Sequence, residues 1–488
     1  MQYNFKKIKF NSKIETYISF LILIFTSSLL VYYILLNANW VFGDDAEFLR
    51  TTAIGKMESI FYHASGDGRF FPLGHYDFNV LTFFSAGKSP FAHYLWVAIS
   101  FIIFIIASKT LFYNIFKNNF DQNKNYSLLI TFSILFLMFR FLIVFVNIIF
   151  PERIIIVFLT VFMMLYYKFV NTNKSIYFLL TLFVVFYVTY CKEPISGALL
   201  VFSMVNLIFN YKKMSFQQKL FHTILVLNAI LYFSLYYILV FKNTTVFYTQ
   251  NFESSSYFEL VFSSFLKNKV LVFSFVLLII RLYFILIKKD RRFLFFDSIL
   301  FAGISYVFAI ILLKLNSSYY FFPSIVLCFP ALVFFMFHYM KKYYLVLFII
   351  IFSTLFLVPK SVNAIKANQI KRIYTNSQMS FLADAYLKGK NLLWFQLADE
   401  EVNNEFKVQM SWRKEVVECY VNYLLQHNDF CRFKSVSKID SLSSNDIFLY
   451  SRLNNKNNMI ESKINALLHD NNFVQVSEIE DIQVFSNQ

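Results

Sequence analysis

The sequence predicts an α-helical polytopic membrane protein of about eleven transmembrane helices, with a long first outer loop and a small C-terminal α/β soluble domain. Of its 488 residues, 58% are hydrophobic and 15% are charged, whereas a soluble domain has about 25% charged residues. Mostly apolar runs recur from Ile18 to Val358, and most are long enough to cross roughly 30 Å of hydrocarbon as helices. The runs do not alternate between polar and apolar residues, so barrel strands are excluded.

The predicted spans follow the chain in order. The first has the long apolar stretch of an uncleaved signal anchor, because no small-x-small cleavage site follows it. The fifth and sixth lie on either side of the stretch 191–194, CKEP, and are short for full crossings. We place the eleven spans at 16–36, 91–116, 127–149, 154–170, 176–190, 195–209, 220–241, 270–287, 293–313, 324–340 and 343–358.

Lysine and arginine residues in the short connections predict the orientation. They all fall on one side when eleven spans are counted, and that side is normally cytoplasmic. We therefore expect a multi-pass protein of the cytoplasmic (cell) membrane, with its N-terminus inside and its C-terminus outside. The net charge of +16 follows from this topology and fits contact with anionic membrane lipids. Nucleic-acid binding needs basic residues clustered on a soluble face, so no nucleic-acid partner is expected. The basic residues concerned are Lys6, Lys7, Lys9, Lys13, Lys117, Lys124, Lys168, Lys174, Lys212, Lys213, Lys219, Lys288, Lys289, Arg291, Arg292, Lys341 and Lys342.

Two domains are predicted, a transmembrane domain at 1–358 that includes the outer loop 37–90, and an extracytoplasmic α/β domain at 359–488. In the second, predicted helices at 361–387, 408–427 and 460–469 alternate with strands at 392–398 and 447–451, before a closing β segment. Cys419 and Cys431 lie in a compartment that permits disulfides, and whether they are bridged is left open. Cys191 and Cys328, in or beside spans, are expected to be buried as small apolar residues.

An acidic pair begins the first outer loop. Asp44 and Asp45 follow Gly43 closely after the interfacial Trp40, so they lie at the boundary between membrane and water. Adjacent carboxylates repel each other, which requires a nearby cation or raises one pKa to a value suited to a general base. The alternative interpretation is a solvated turn that caps the next helix.

A second polar element in this loop is the stretch 66–77, GDGRFFPLGHYD. Its glycines and proline predict a tight turn that holds Arg69 at headgroup depth, where a guanidinium suits bidentate phosphate binding. His75 could shuttle a proton or bind a metal. The alternatives are that Arg69 binds bulk phospholipid headgroups and that His75 is an ordinary surface residue.

With these motifs and this architecture, the chain resembles the GT-C superfamily, membrane glycosyltransferases that take sugars from polyprenyl-phosphate carriers. The GDD and GRFFP elements are most similar to bacterial members that modify surface polysaccharide or lipopolysaccharide. The resemblance implies that Asp44 or Asp45 is the base that acts on the acceptor hydroxyl. Some members have an Arg-Tyr element before a late span that contacts the carrier phosphate. Here the stretch 316–323, NSSYYFFP, contains Tyr319 but no arginine, and Lys314 is the candidate substitute.

Two more clusters fit a carrier-phosphate pocket on the outer side. Glu152 and Arg153 follow the third span, and Lys192 and Glu193 follow the fifth. Each places a cation beside a carboxylate at headgroup depth, and several cations on the side of the acidic pair would stabilise a phosphate leaving group. The alternative is that each cluster is an internal ion pair that closes helix ends.

We therefore predict an inverting glycosyltransferase that moves a sugar from a polyprenyl-phosphate carrier to an acceptor glycan or lipid at the outer face. No cofactor is predicted, because no His/Cys cluster has metal-ligand spacing, although a divalent cation remains possible. The alternatives are a polysaccharide polymerase or ligase that uses a diphosphate-linked carrier, and a lipid-linked oligosaccharide flippase or other transporter.

Five basic residues within the spans are considered separately. Arg140 is near the middle of the third span, where a charge is costly, and we expect a structural hydrogen-bond network there rather than contact with the carrier phosphate. Lys109, His222, Arg281 and His338 lie near cytoplasmic ends and are expected to snorkel toward the interface.

Overall fold

The structure, a computed structural model, divides into two compact units. The transmembrane unit holds the described residues of 12–36, 69–79 and 93–363, and the second unit holds those of 38–39, 80–92 and 364–487. The boundary falls between Asn363 and Ala364, whereas the sequence predicts a boundary at 358–359. The described residues are 12–36, 38–39, 69–74, 76–85, 90–121, 124–148, 150–244, 257–315, 317–395, 404–425, 431–436, 443, 445–451, 473–479 and 482–487.

Ten helices of the described chain are long and apolar enough to cross a membrane. The fifth predicted span is a shorter apolar helix, Ser175–Thr189, so the polytopic helical fold is confirmed with one short member. The helices up to the second unit are α1 (Ser12–Leu36), α2 (Tyr76–Ser85), α3 (Phe91–Asn119), α4 (Ser127–Val146), α5 (Glu152–Thr172), α6 (Ser175–Thr189), α7 (Glu193–Asn210), α8 (Phe216–Tyr236), α9 (Tyr257–Lys267), α10 (Lys269–Leu286), α11 (Leu294–Leu312), α12 (Phe322–Met340) and α13 (Tyr343–Leu387). A π-helical turn, Tyr237–Phe241, extends α8, and a 3₁₀ turn, Ser318–Phe321, precedes α12.

The connections rich in lysine meet at one end of the transmembrane unit. Ser215 caps α8 through the amide of Gln218, and its hydroxyl reaches Asn173 at 2.9 Å, between α5 and α6. At the same end, the Tyr343 hydroxyl donates to Glu15 at 2.8 Å. We call this the lysine-rich end. The other end, where the chain passes through 69–74, 150–151 and 190–192, carries most of the predicted site residues.

Two buried polar pairs correct the expectation that Arg281 and His222 snorkel. Arg281 is fully buried and binds Asp297 through two nitrogens, at 2.7 and 2.9 Å, and the Tyr339 hydroxyl at 3.0 Å. His222 is also fully buried, with a ring nitrogen 2.8 Å from the Tyr166 hydroxyl. Snorkelling is wrong for both residues because each has a partner inside the bundle, which removes the need to reach water.

A close helix crossing fixes the middle of the bundle. A Cβ atom on Gly303 of α11 would lie 2.4 Å from the Cys328 sulfur and 3.1 Å from the Ser324 carbonyl oxygen of α12. Only glycine permits this approach, since any side chain would push the two helices apart. The Ser324 hydroxyl donates to the Gly303 carbonyl at 2.7 Å, which ties the crossing together.

The second unit contains a five-stranded sheet of order β2-β1-β3-β5-β4. Strands β1, β2 and β3 are parallel, and β5 pairs antiparallel with both β3 and β4. The helix α14 (Asn404–Leu425) lies between β1 and β2 in the chain, as parallel pairing requires. The strands are β1 (Asn391–Phe395), β2 (Lys434–Val436), β3 (Asp446–Ser451), β4 (Phe473–Ile479) and β5 (Ile482–Asn487).

Most of the predicted elements of the tail are confirmed. Strand β1, helix α14, strand β3 and the closing β segment lie where the sequence places them. The predicted helix 361–387 is wrong as a separate element, because α13 continues unbroken from the membrane through Pro359. Strand β2 is an addition, and the predicted helix 460–469 lies outside the described residues.

All four cysteines are buried and none forms a disulfide, so Cys419 and Cys431 are not bridged. The chain around Cys431 is held instead by Asn422, whose side chain accepts from the Cys431 amide at 2.6 Å and donates to its carbonyl at 3.0 Å. Burial, with a smaller contribution from Glu418, raises the pKa of the Cys431 thiol to about 12. The thiol is therefore protonated and unreactive at neutral pH.

Candidate active site

Six charged side chains meet at the end of the transmembrane unit opposite the lysine-rich end. Arg69 precedes α2 and Asp77 lies in its first turn, while the remaining four belong to the starts of α5 and α7. Glu152 and Glu193 each begin a helix, where the helix dipole favours a carboxylate. We call the set the ion-pair cluster, and its members are Arg69, Asp77, Glu152, Arg153, Lys192 and Glu193.

Arg69 is bound by Glu193. Its Nε lies 2.7 Å from one carboxylate oxygen and its Nη2 lies 3.3 Å from the other. The backbone amide of Phe70 donates to the same carboxylate at 3.0 Å, and the Phe70 carbonyl accepts from the Tyr232 hydroxyl at 2.5 Å. The Arg69 and Glu193 side chains are 13% and 12% exposed. This largely desolvated, bidentate pair fastens the end of the first outer loop to α7 and α8.

A tight turn follows Arg69, as the sequence predicts. The Gly74 amide donates to the Phe71 carbonyl at 2.9 Å, and the Leu73 amide donates to the Tyr190 carbonyl at 3.1 Å. A Cβ atom on Gly74 would lie only 3.0 Å from the Cys191 carbonyl oxygen. Glycine is therefore required at this position because the turn touches the backbone between α6 and α7.

Asp77 joins α2 to α3 and α5. One of its oxygens accepts from Arg153 Nη2 and from Trp96 Nε1, both at 2.8 Å. The Arg153 side chain is 1% exposed, and its guanidinium lies 5.1 Å from the centre of the Phe78 ring. A buried arginine needs such a counter-ion, since an isolated charge would be strongly disfavoured.

Lys192 and Glu152 form the most buried pair of the cluster. The Lys192 ammonium donates to Glu152 Oε1, and the two side chains are 3% and 0% exposed. The ammonium also lies 4.3 Å from the centre of the Tyr320 ring. Burial lowers the pKa of Lys192, and the negative charge of Glu152 acts in the opposite direction. Glu152 Oε2 and the Tyr306 hydroxyl are buried without a hydrogen-bond partner among the described residues.

The ion-pair cluster is electrically balanced, with each of its three cations on a carboxylate. The structure brings together Arg69, Glu152, Arg153, Lys192 and Glu193, as the convergence on one side predicts. The cations are paired with carboxylates, as the alternative interpretation holds, but the pairs join different segments and do not form within each predicted cluster. Phosphate binding by these cations stays a prediction, and it would require a phosphate to displace a carboxylate.

The other predicted residues are Lys314 and Tyr319, which have contacts of their own, and three that lie outside the described chain. Lys314 has a left-handed backbone, with φ of 53°, and its ammonium lies 5.5 Å from the centre of the Tyr257 ring. The Tyr319 ring contacts Phe150 at 4.4 Å and Tyr320 at 4.3 Å between ring centres. Asp44, Asp45 and His75 lie outside the described residues, so their predicted roles are not tested.

Sequence reasoning missed four contributors to this site, Asp77, Trp96, Tyr306 and Tyr320. A signal for Asp77 was present, because it ends the polar stretch 66–77 that the sequence analysis singles out. Its partner is 76 residues away in the chain, a pairing that spacing alone does not reveal. Among the described residues, no group of three or more His, Cys, Asp or Glu side chains could hold a metal ion.

Comparison with known proteins gives a likeness of fold. No protein-family model matches the sequence, and no curated protein sequence matches it either. The crystal structure of ArnT from Cupriavidus metallidurans bound to undecaprenyl phosphate is similar to this chain, with a TM-score of 0.51 and 12% sequence identity. The likeness covers 95% of this chain and 97% of that chain. It shows that the fold is similar to that of ArnT over nearly the whole chain, which agrees with the fold that the resemblance in the sequence implies.

Proposed function

From this GT-C fold we propose that the chain transfers a sugar from a polyprenyl-phosphate carrier to an acceptor glycan or lipid at the outer face of the membrane. The observation that carries the proposal is the likeness over 95% of the chain to a glycosyltransferase whose structure contains undecaprenyl phosphate. The lysine distribution supports the orientation, with the ion-pair cluster outside and the lysine-rich end in the cytoplasm.

The reaction is a single displacement at the anomeric carbon. Asp44 or Asp45 takes the proton of the acceptor hydroxyl, and the acceptor oxygen forms a bond to that carbon. The bond between the anomeric carbon and the phosphate oxygen breaks, and its electron pair leaves with the carrier phosphate. A single displacement inverts the configuration. A carboxylate base of this kind contributes about 10²–10⁴-fold to the rate.

The ion-pair cluster supports the proposal through the segments of the transmembrane unit that it holds together. The acidic pair begins the first outer loop, and Arg69 and Asp77 lie near the end of the same loop. Arg69 is held on Glu193 at 2.7 Å and Asp77 on Arg153 at 2.8 Å. These contacts anchor that end of the loop to the helix starts of α5 and α7. A rigid arrangement of these segments is what catalysis at a fixed geometry requires.

The experiment compares sugar transfer by purified wild-type protein, Asp44→Asn and Asp45→Asn. Asparagine keeps the size of the side chain and removes its basicity. We expect one variant to lose at least ~100-fold in transfer rate while carrier binding survives, and the other to lose much less. Asp44 is the preferred base because it follows Gly43 and lies nearest the membrane edge. The control is Asp121→Asn, which removes an exposed carboxylate at the lysine-rich end.

Near-wild-type transfer rates in both Asn variants would mean that the acidic pair acts only as a helix cap. The proposal would then lose its chemical basis. The two alternatives give different products in the same assay. A polymerase or ligase would prefer a diphosphate-linked donor and transfer an oligosaccharide. A transporter would move the lipid-linked sugar across the bilayer without releasing it from the lipid.

A further inference from the structure

Three cations of the transmembrane unit, unlike those of the ion-pair cluster, have no carboxylate partner among the described residues. They are Arg140, Lys269 and Lys360, which we call the basic cluster. Arg140 lies six residues before Val146, the last residue of α4, so it is nearer the outer end than the middle position that the sequence predicts. Its Nη2 donates to Asn268, which precedes α10, and its guanidinium is 5.4 Å from the centre of the Phe322 ring.

Contacts with α13 bring the other two cations to the same place. The Lys269 and Lys360 ammonium groups lie 5.9 and 4.6 Å from the centre of one ring, Phe356. Lys269 directly follows Asn268, the partner of Arg140. The Ser361 hydroxyl donates to the carbonyl of Phe139, next to Arg140, at 2.7 Å. The starts of α10 and α12 and a turn of α13 therefore surround the Arg140 side of α4.

In the part of the chain that the structure describes, the basic cluster has an uncompensated positive charge that would favour a bound anion. Arg140 Nε is buried and has no acceptor among the described residues, and Asn268 satisfies one of the several N–H donors of the guanidinium. No ion pair of the described chain includes Arg140, Lys269 or Lys360. The first turns of α10 and α12 add the positive ends of two helix dipoles. A cation without a counter-ion in these surroundings is energetically costly unless an anionic ligand neutralises its charge.

The surroundings of the basic cluster fit a lipid. Phe356 is 55% exposed, and Lys269 and Lys360 are also exposed, although all three belong to helices long enough to cross the membrane. The cluster thus has an apolar, bilayer-facing side and a half-buried guanidinium behind it. A phosphate ester on a hydrocarbon chain matches both, since guanidinium binds phosphate through paired hydrogen bonds.

We propose that the basic cluster binds the phosphate group of a membrane lipid, with Arg140 as the inner, half-buried ligand and Lys269 and Lys360 at the entrance from the bilayer. The chemistry, a phosphate on a lipid chain, is common to a polyprenyl phosphate and an anionic phospholipid. The assignment to the polyprenyl phosphate rests on the proposed function, and the lipid-phosphate site itself does not. It replaces the purely structural network that the sequence predicts for Arg140.

The test measures the binding of radiolabelled polyprenyl phosphate to purified full-length protein in neutral-lipid nanodiscs. Arg140→Gln should weaken binding at least roughly tenfold, because hydrogen bonds to charged groups are lost. Arg140→Lys should recover only part of this loss, because a point charge lacks the guanidinium fork. The double variant Lys269→Gln/Lys360→Gln should weaken binding roughly tenfold as well, and it tests the site even if Arg140→Gln does not fold. The control, Lys288→Gln, removes an exposed cation at the lysine-rich end and should bind normally.

Unchanged affinity in the folded Arg140 and double-lysine variants would overturn the site. Competition with phosphatidylglycerol and with inorganic phosphate separates the sources. Displacement by polyprenyl phosphate alone supports the carrier, whereas equal displacement by phosphatidylglycerol overturns the carrier assignment. Displacement by micromolar inorganic phosphate would overturn the lipid requirement. The outcome is independent of the acidic pair, because the Asp44→Asn and Asp45→Asn variants test transfer and these variants test binding.

Discussion

Replacing Glu193 by glutamine should release the end of the first outer loop. The change leaves the Arg69 guanidinium beside a neutral amide and weakens the acceptor for the Phe70 amide, which lies 3.0 Å from Glu193 Oε1. Breaking a buried ion pair by removing one partner costs about 3–5 kcal/mol. We expect about 3 kcal/mol, at the lower end, because the two side chains are 13% and 12% exposed and glutamine keeps one acceptor.

Hydrogen exchange measures this local loss directly. A loss of ~3 kcal/mol corresponds to roughly 100-fold faster exchange in peptides that cover residues 69–74. The double variant Arg69→Gln/Glu193→Gln leaves no unpaired charge, so its exchange should be slower than that of Glu193→Gln alone. Asp384→Asn, which removes an exposed carboxylate from α13, should leave this segment unchanged. Wild-type exchange in Glu193→Gln, or faster exchange in the double variant than in the single one, would refute the reasoning.

Three further predictions concern stability and topology. Arg281→Met should destabilise the protein by about 3–5 kcal/mol because it leaves Asp297 buried and unpaired. The melting temperature in detergent should fall, and the double variant Arg281→Met/Asp297→Asn should largely restore it. Equal melting temperatures of the single and double variants would contradict this prediction. Burial raises the pKa of Glu418 above its usual 4.5, although the Phe433 amide acts in the opposite direction. Ionisation of Glu418 therefore destabilises the folded second unit as the pH rises through the folded-state pKa. In pulse proteolysis of the full-length protein, Glu418→Gln should therefore make the second unit more resistant at pH 7 but not below about pH 4. A difference that does not depend on pH would be evidence against ionisation of Glu418 as the cause. A membrane-impermeant thiol reagent should label Lys388→Cys in spheroplasts and Lys288→Cys only after permeabilisation, and the reverse pattern would invert the proposed topology.

The membrane architecture was predictable because it depends on local composition. Each apolar run forms its helix without long-range information, and even the short fifth span appears as the fifteen-residue α6. The exception is the end of the last span. Pro359 marks a plausible helix end, since proline removes one backbone hydrogen bond, yet α13 continues for 45 residues in all.

The pairing within the candidate site was only partly predictable. The sequence singled out Arg69 and Glu193, but the two are 124 residues apart, and spacing gives no sign that they bind each other. For Arg140 it predicted a hydrogen-bond partner and not the convergence with Lys269 and Lys360, which depends on how α4, α10 and α13 pack. Likewise β2, with three residues, is too short to leave a periodic pattern and is defined by its pairing with β1.

The central claim, lipid-linked sugar transfer, is tested most directly by the mass balance of the reaction. Purified protein in nanodiscs is given polyprenyl-phosphate donors that carry a labelled sugar, together with an acceptor fraction from the envelope. The account predicts that the label leaves the lipid, appears on the acceptor with inverted configuration, and is matched one to one by free polyprenyl phosphate. Label that stays on the lipid while the lipid crosses the bilayer, or release matched by polyprenyl diphosphate, would contradict it.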